Sequence, residues 1–291
     1  MITHNYDVII IGSGPAGMSC ALYLGRTNLK TLLIEKATPG GRMLQATEIA
    51  NFSGVKTDSG MNIAVTMFSQ IDFNNVTFVQ EEVLEVTKDE QVKVSTNLNQ
   101  YTCDKLVIAT GFVNKPLNVI NEDKFVGRGI SFCALCDAAL TKDKEVLMYA
   151  STLKSLEEAS YISTLAKKVY IICNEKLLKF VTLKDNMEFL KETSIVSFNG
   201  MFKLTSVTLK QNDKEFDLPI DFVFIYNGYT PSSKFIKYDG FTDQIGQIIV
   251  DENYETKIEN IYAIGDIIKR PVKQVATAVG DGAFVGSILV K

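Results

Sequence analysis

Cys133 and Cys136 are the residues whose type and spacing most directly indicate a chemistry in this chain. They are separated by Ala134 and Leu135, and Asp137 follows them, so the segment reads Cys-x-x-Cys-Asp. Two thiols at this spacing can close into a disulfide, and disulfide exchange needs an attacking thiolate, a resolving thiol and a proton donor. A zinc half-site has the same spacing, but no second Cys-x-x-Cys and no histidine pair would complete four ligands. The spacing therefore favours thiol–disulfide exchange, and we expect no metal site.

A glycine-rich segment near the N-terminus is typical of the turn that binds the pyrophosphate of a dinucleotide. It consists of Gly12, Ser13, Gly14, Pro15, Ala16 and Gly17. Gly12 permits the tight turn, Gly14 lets a pyrophosphate approach the backbone, and Gly17 allows close packing of helix on strand. The helix N-terminus would face the phosphates, and Glu35, at the end of the next strand, would accept ribose hydroxyl groups. Strand, turn, helix and acid together predict a bound dinucleotide rather than a turn used only for packing.

The apolar periodicity places these motifs in two successive αβ units. The first unit has predicted strands over residues 6–11, 29–35, 76–79 and 105–109, a hairpin over 82–96, and helices over 15–26 and 61–71. The second has predicted strands over 145–149, 168–173 and 221–226, short strands within 189–218, and a helix over 153–166. A strand over 261–263 and a helix over 276–290 follow. We therefore expect an α/β protein in which residues 1–113 and 235–291 form one domain and 114–234 form an inserted domain.

The composition excludes several classes of protein. Hydrophobic residues are 46%, charged residues 22% and the net charge is −4, which argues against a nucleic-acid-binding protein. The apolar runs are too short to span a membrane, and no export signal precedes Tyr6, so we expect a cytoplasmic protein. Because His4 is the only histidine, a Ser/His or Cys/His hydrolase is disfavoured. The isolated Cys20, Cys103 and Cys173 are expected to be buried, inert thiols.

Three further segments resemble the flavin site of the low-molecular-weight thioredoxin reductase family. They are Ala109, Thr110 and Gly111; Gly265 and Asp266; and Gln274, Val275 and Ala276. In that family the aspartate of the second segment binds the ribityl chain, and the third segment contacts the isoalloxazine pyrimidine ring. The resemblance also assigns Lys36, Gly41, Arg42, Asn51 and Val83 to the site. It covers nearly the whole chain and implies FAD in a fold of two Rossmann-like, three-layer ββα domains of the FAD-dependent disulfide oxidoreductase type.

The same resemblance assigns a role to each residue of the Cys-x-x-Cys-Asp segment. Cys136 would lie against the flavin and receive its electrons, whereas Cys133 would attack the disulfide of thioredoxin. Asp137 would manage the proton near the flavin-side thiol, in a chain that offers no histidine for that task. The resemblance also implies a homodimer.

The second glycine fingerprint of the pyridine-nucleotide-dependent members is missing. After the strand that ends at Tyr149 the chain has Ala150, Ser151, Thr152, Leu153, Lys154 and Ser155 in place of Gly-x-Gly-x-x-Ala/Gly. Side chains at this turn would obstruct the approach of a pyrophosphate. Glu175 falls in the place of a His-Arg-Arg run that binds a 2′-phosphate, and no arginine occurs between Gly129 and Lys269. The pattern predicts that NAD(P)H does not bind.

This combination looks like the ferredoxin-dependent flavin thioredoxin reductases. It implies that electrons pass from reduced ferredoxin by way of FAD to the Cys133–Cys136 disulfide and then to thioredoxin. Three alternatives stay open: an NADPH-dependent thioredoxin reductase that binds phosphate through lysines of the insert, an enzyme with another low-potential donor, and a non-enzymatic redox sensor. Four lysines form either a basic face for an acidic ferredoxin or a solvated face, namely Lys167, Lys168, Lys176 and Lys179.

Overall fold

The computed structural model describes residues 3–46 and 48–290, with the backbone alone for Thr3, Leu135 and Cys136. The described chain forms two compact units, of which the second, Asn114–Tyr229, is inserted into the first. The return to the first unit therefore lies at Thr230, five residues before the predicted boundary. The reason is that Ser232 already bonds to the first unit: its amide donates to the Gly111 carbonyl (3.0 Å) and its carbonyl accepts from Thr110 Oγ1 (2.6 Å).

The first unit is built on a seven-stranded sheet. Its strands are β1 (Thr3–Ile11), β2 (Thr31–Glu35), β3 (Val76–Gln80), β4 (Val83–Lys88), β5 (Val92–Thr96) and β6 (Gln100–Ile108), joined by a short strand at Ile261–Ala263. The order is β3-β2-β1-β6-β5-β4, and β3, β2, β1 and β6 run parallel. The first half of β6 pairs with β5, and its second half pairs with Ile261–Ala263. This divided pairing lets a hairpin and a parallel strand share one edge of β6.

Alternate residues of the central strands enter two separate cores, as the period of two in a strand requires. Val8, Ile10 and Val107 pack with the helices α1 (Pro15–Leu24), α2 (Gly60–Ser69) and the C-terminal helix Val275–Ile288. Ile9 and Leu106 face the other side, where the β4–β5 hairpin and residues of the segment 236–268 cover them. Both faces of the sheet are therefore buried, which explains the nearly continuous apolar strands of the sequence.

The second unit repeats this plan on a smaller scale. Strands β7 (Phe112–Asn114) and β16 (Tyr229–Pro231) lie where the chain enters and leaves the second unit. Between them come helix α3 (Glu122–Phe125) and the strands β8 (Ile130–Ser131), β9 (Glu145–Ala150), β10 (Lys168–Cys173), β11 (Met187–Phe189), β12 (Thr193–Asn199), β13 (Ser206–Gln211), β14 (Lys214–Pro219) and β15 (Phe222–Tyr226). In the first unit, Ile261–Ala263 is then β17. A parallel sheet has the order β11-β10-β9-β15-β8, an antiparallel sheet consists of β12–β14, and β7 pairs with β16. Its other helices are α4 (Ala134–Asp137) and α5 (Leu153–Ile162). In the first unit, the C-terminal helix Val275–Ile288 is then α6.

Helix α5 covers one face of this second parallel sheet, and the antiparallel sheet covers the other. Leu156, Ala159 and Ile162 of α5 pack on Val146 and Met148 of β9. Leu147, which alternates with those two residues, faces the core that β12–β14 contribute to. None of the helices formed by the described residues is both long and apolar enough to span a bilayer.

Helices α1 and α6 cross in close contact, and glycine permits the crossing. A Cβ at Gly282 would lie 2.2 Å from the Ala16 carbonyl oxygen, whereas a Cβ at Gly280 would meet nothing within 4 Å. We expect Gly282→Ala to destabilise the protein by roughly 1–3 kcal/mol through overpacking. Gly280→Ala, the matched control in the same helix, should stabilise it by about 0.5–1 kcal/mol. Unfolding midpoints of the two variants check this, and equal shifts would contradict the assigned contact.

Candidate functional site

The turn after β1 brings its backbone against the end of β6. Gly12 has a φ of +102°, and a Cβ there would lie 2.6 Å from the Ala109 carbonyl oxygen. A Cβ at Gly17 would lie 1.8 Å from the carbonyl oxygen of Gly12. Gly14, by contrast, faces open space with nothing within 4 Å of an added Cβ. The first and last glycines thus pack the turn, and the middle one leaves room for a ligand, as the sequence pattern predicts.

Ser13 supplies a polar group that no protein atom satisfies. Its amide donates to Glu35 Oε2 at 2.8 Å. Its hydroxyl is buried, and among the described residues it is the buried side-chain polar atom that lacks a hydrogen-bond partner. Because buried polar groups are normally paired, this hydroxyl indicates a polar ligand at the turn. The N-cap of α1, Gly14, has no side-chain cap, which suits a phosphate at the same place.

The loop after β2 closes over this turn and carries three of the predicted residues, Lys36, Gly41 and Arg42. The Gly40 amide donates to the Ser13 carbonyl at 2.8 Å, and Gly41 lies beside Gly14. Arg42 Nη1 lies 3.6 Å from Asp266 Oδ2 in a half-exposed ion pair. Lys36, directly after Glu35, pairs with Glu82 at 3.6 Å, which places it next to Val83 at the start of β4.

The predicted ring-contacting segment lies at the N-terminus of α6. Gln274 caps this helix in a reciprocal arrangement with Thr277, so that Val275 and Ala276 form the first turn. The Gln274 side chain accepts from Asn51 Nδ2 at 3.2 Å, which joins two positions 223 residues apart. Gly265 lies against Ala16, and Thr110 anchors the end of β6 to Ser232. Contacts therefore connect the predicted cofactor residues into one site within the first unit.

Two cations, Lys273 and Arg42, lie near Asp266. Lys273 Nζ donates to the carbonyl oxygens of Asp266 and Ile268, and it lies 4.6 Å from the centre of the Phe112 ring. Burial lowers the pKa of Lys273. With Arg42 on the other side of Asp266, the arrangement suits an anionic dinucleotide.

An ion pair that the sequence analysis missed fixes the Gly265 turn. Asp281 is 2% exposed; it accepts from the Gly265 amide (3.0 Å) and the Tyr254 hydroxyl (2.7 Å), and it pairs with Arg270. A buried carboxylate requires such partners. The signal in the sequence was that Asp281 is the one charged residue of the apolar helix α6.

The dithiol segment lies in the second unit at the start of α4. Cys133 is disulfide-bonded, and its amide donates to Ser131 Oγ at 3.0 Å. The side chain of Cys136, its expected partner, lies outside the described residues. The Asp137 amide donates to the Cys133 carbonyl at 3.2 Å, and the Asp137 side chain is half-buried. The segment is thus a single helical turn that follows Cys133 directly.

The other three thiols are free and are not activated. Cys20 and Cys103 are buried, and burial raises the pKa of each to about 12. Cys173, at the end of β10, is only partly buried, contrary to the expectation, but its partial burial still raises the pKa of its thiol. A thiol that remains protonated is a poor nucleophile, so these residues fit the expected inert role.

The turn after β9 differs from the turn after β1 in its lack of glycine and in the side chains that bond its amides. Thr152 and Ser155 form a capping box: the Ser155 amide donates to Thr152 Oγ1 (3.2 Å) and the Thr152 amide to Ser155 Oγ (3.1 Å). The Ser151 amide donates to the Tyr226 carbonyl at 3.0 Å. None of the described residues 150–155 has a positive φ. Three amides that could hold a phosphate are therefore bonded to protein atoms, and Ser155 is buried where a fingerprint glycine would lie.

A cavity of about 500 Å³ lies at the carboxyl ends of β9 and β10. Its eleven lining residues, all in the described part of the chain, include Tyr149, Ser151 and Asn174 and carry no charge. Glu175, predicted to repel a 2′-phosphate, is two-thirds exposed and lies 3.9 Å from Lys191. The cavity lies at the carboxyl ends of the strands, where a nucleotide binds in a parallel sheet, but its described lining residues include no cation that could pair with a phosphate.

Comparison with known proteins gives matches along nearly the whole chain. The family model described as pyridine nucleotide-disulphide oxidoreductase matches residues 6–282. The thioredoxin reductase of Listeria innocua is 34% identical, over 97% of this chain and 92% of that protein. The structure of Lactococcus lactis thioredoxin reductase has a TM-score of 0.73 at 31% identity, covering 98% and 97% of the two chains. A ferredoxin-flavin thioredoxin reductase from Clostridium acetobutylicum has a TM-score of 0.56 at 28% identity, covering 99% and 98%.

The orphan hydroxyl of Ser13 yields a prediction about cofactor affinity. We expect Ser13→Ala to weaken FAD binding by about 5- to 30-fold, the equivalent of one lost hydrogen bond, without lowering the unfolding midpoint of the apoprotein. Ser19→Ala is the matched control, because Ser19 Oγ is buried but already donates to the Val279 carbonyl at 2.8 Å. That control should lose stability and keep its FAD affinity. Fluorescence titration and apoprotein melting distinguish the two variants, and an unchanged affinity in Ser13→Ala would contradict the assignment.

Proposed function

This chain belongs to the pyridine nucleotide-disulphide oxidoreductase family and, within it, to the low-molecular-weight thioredoxin reductases, and we propose that it reduces thioredoxin with electrons from reduced ferredoxin rather than from NAD(P)H. The predicted α/β fold of an FAD-dependent disulfide oxidoreductase is confirmed, and FAD is its cofactor. Its activity is that of a thioredoxin reductase. The identity of the electron donor is the part that we propose.

The proposed reaction at the dithiol is a balanced exchange. The Cys133 thiolate attacks one sulfur of the thioredoxin disulfide, forms a mixed disulfide and releases one thioredoxin thiol. Cys136 then attacks the Cys133 sulfur, which restores the Cys133–Cys136 disulfide and releases the second thiol. Asp137 supplies or accepts the proton, since no histidine lies nearby. Ser13, Glu35 and Asp266 would hold FAD, which when bound would supply the two electrons that reduce the Cys133–Cys136 disulfide before each exchange.

The turn after β9 is the observation that carries the choice of donor. A pyrophosphate needs amide groups that are free and a surface bare of side chains. In this turn, Thr152 and Ser155 bond each other's amides and Ser155 fills the space beneath. A protein donor needs no such turn. The ferredoxin-flavin thioredoxin reductase among the similar structures supports ferredoxin as that donor.

A second candidate is an NADPH-dependent thioredoxin reductase with a diverged nucleotide site. The comparisons favour this candidate, because the family description names a pyridine nucleotide and the relatives with higher similarity are named simply thioredoxin reductase. The cavity at the ends of β9 and β10 also lies where a nucleotide would bind. The absence of charge among its described lining residues weighs against it. No observation favours a non-enzymatic redox sensor.

Two of the four lysines that were considered as a basic face or a solvated face on the second unit are paired with carboxylates. Lys167 pairs with Glu145 at 3.0 Å, and Lys168 pairs with Glu188. These ion pairs agree with a solvated face rather than a basic face for ferredoxin. We also propose that the protein is a homodimer, which the family resemblance supports. We propose a cytoplasmic location, because the cysteines of the chain do not form the disulfide framework of a secreted protein.

Anaerobic reduction of the flavin by a panel of donors tests the proposal. We expect the yellow protein to keep its flavin absorbance with NADPH or NADH and to lose it with reduced ferredoxin. A deazaflavin tests for another low-potential donor. The Cys133→Ser/Cys136→Ser double variant, as a control, should still accept electrons into its flavin. Rapid bleaching by NADPH at micromolar concentration would establish the second candidate instead.

The two cysteines should differ in their capture of thioredoxin. We expect Cys136→Ser to accumulate a mixed disulfide between Cys133 and thioredoxin, because the resolving thiol is missing, and Cys133→Ser to accumulate none. Cys173→Ser, which removes a free thiol outside the site, should behave as the wild type. Non-reducing electrophoresis measures the product. Equal capture by the two variants would show that the roles are assigned incorrectly.

A further inference from the structure

Tyr226 and Glu158 of the second unit form a chain of hydrogen bonds that ends at the first residue of α4, beside Cys133. The Ala134 amide, directly after Cys133, donates to the Tyr226 hydroxyl at 2.7 Å. That hydroxyl in turn donates to Glu158 Oε2. Tyr226 ends β15 and Glu158 lies in the middle of α5, so three elements meet at this one chain of hydrogen bonds.

Packing holds this chain of hydrogen bonds in place. Ala134 is fully buried in the same core as Leu156 and Ala159 of α5, and Tyr226 packs against that core. Burial, followed by the hydrogen bond to Glu158, raises the pKa of Tyr226, so the hydroxyl stays protonated and able to donate. Neither residue takes part in the proposed exchange reaction or in the site of FAD. Their arrangement therefore needs another explanation.

We infer that Tyr226 and Glu158 are positioning residues that set the redox equilibrium of the Cys133–Cys136 pair in favour of the disulfide. The Tyr226 hydroxyl accepts the hydrogen bond of the Ala134 amide, which therefore cannot donate to a thiolate at Cys133. The Glu158 carboxylate places a negative charge one further hydrogen bond away. Both effects disfavour a thiolate at this segment, because a nearby negative charge and the loss of a free donor raise its energy. A dithiol whose reduced form is disfavoured gives up its electrons more readily and is a stronger reductant toward thioredoxin.

This inference rests on the assignment of Cys133 and Cys136 as the reactive pair, but it is independent of the electron donor. It applies equally to an enzyme reduced by ferredoxin or by NADPH. Its prediction concerns an equilibrium between dithiol and disulfide, which a merely structural contact would leave unchanged. A structural contact would alter only stability.

The test is a redox titration of the holoenzyme in dithiothreitol buffers. Samples are quenched, unfolded and labelled with a maleimide of high mass, so that the oxidised chain shows the three free thiols and the reduced chain shows two more. We expect Glu158→Gln and Tyr226→Phe each to shift the equilibrium toward the dithiol by about five- to tenfold. A tenfold shift corresponds to about 30 mV for this two-electron couple. The double variant should shift the equilibrium further than either single variant but by less than the product of the two shifts, because both residues belong to one chain of hydrogen bonds.

Glu157→Gln and Tyr161→Phe are the matched controls. Both residues are exposed on the same helix α5 and should leave the equilibrium at the wild-type value. Should Tyr226→Phe fail to fold, Glu158→Gln still tests the inference, because Glu158 is only half-buried. Shifts no larger than those of the controls would overturn the inference. A wild-type chain that gains no thiols on reduction would overturn the assignment of the pair itself, and the inference with it.

Discussion

The close approach of the first glycine turn to the end of β6 is the constraint on which the cofactor site depends. Gly17 comes so near the Gly12 carbonyl, and Gly12 so near Ala109, that no side chain fits between them. This contact holds the N-terminus of α1 against the sheet, buries Ser13 and leaves open space beside Gly14. Asp281 then holds Gly265 against Ala16 from the opposite side. The shape of the turn that would bind phosphate thus results from backbone packing, which requires residues without side chains at Gly12 and Gly17.

The second unit shows what happens when that constraint is relaxed on the same architecture. Its parallel sheet and its helix α5 correspond in order to β1, β2 and α1, yet the turn after β9 satisfies its amides with Thr152 and Ser155. The capping box stabilises the helix start by itself. A turn that caps its own helix gains stability and cannot use the same amides for a ligand. The uncharged cavity beside this turn is consistent with a turn that stabilises its helix and does not bind a phosphate.

The sequence was most informative where a pattern is local. Short apolar runs located the central strands, and the glycine turn after β1 and the glycine-free turn after β9 both lie between a strand and a helix, as expected. Helix ends were less accurate: α1 ends at Leu24 rather than Arg26, where Thr27 Oγ1 donates to the Leu24 carbonyl, and α5 ends at Ile162, where Ser163 Oγ donates to the Ser160 carbonyl. Pairs such as Asn51–Gln274 or Glu158–Tyr226 join residues far apart in the chain. No local pattern encodes such a pair, so only the folded structure reveals it.

Apolar packing, rather than a bound nucleotide, determines which residues of α5 face the dithiol segment. A helix kept only to present amides to a pyrophosphate would have no remaining task once Thr152 and Ser155 occupy those amides. Leu156, Ala159 and Ile162 still need the helix to cover the sheet, and these apolar contacts fix its rotation about its axis. That rotation points Glu158 toward Tyr226 and, through it, toward the amide beside Cys133. The apolar packing of α5 on the sheet thereby orients the charge that we propose acts on the dithiol.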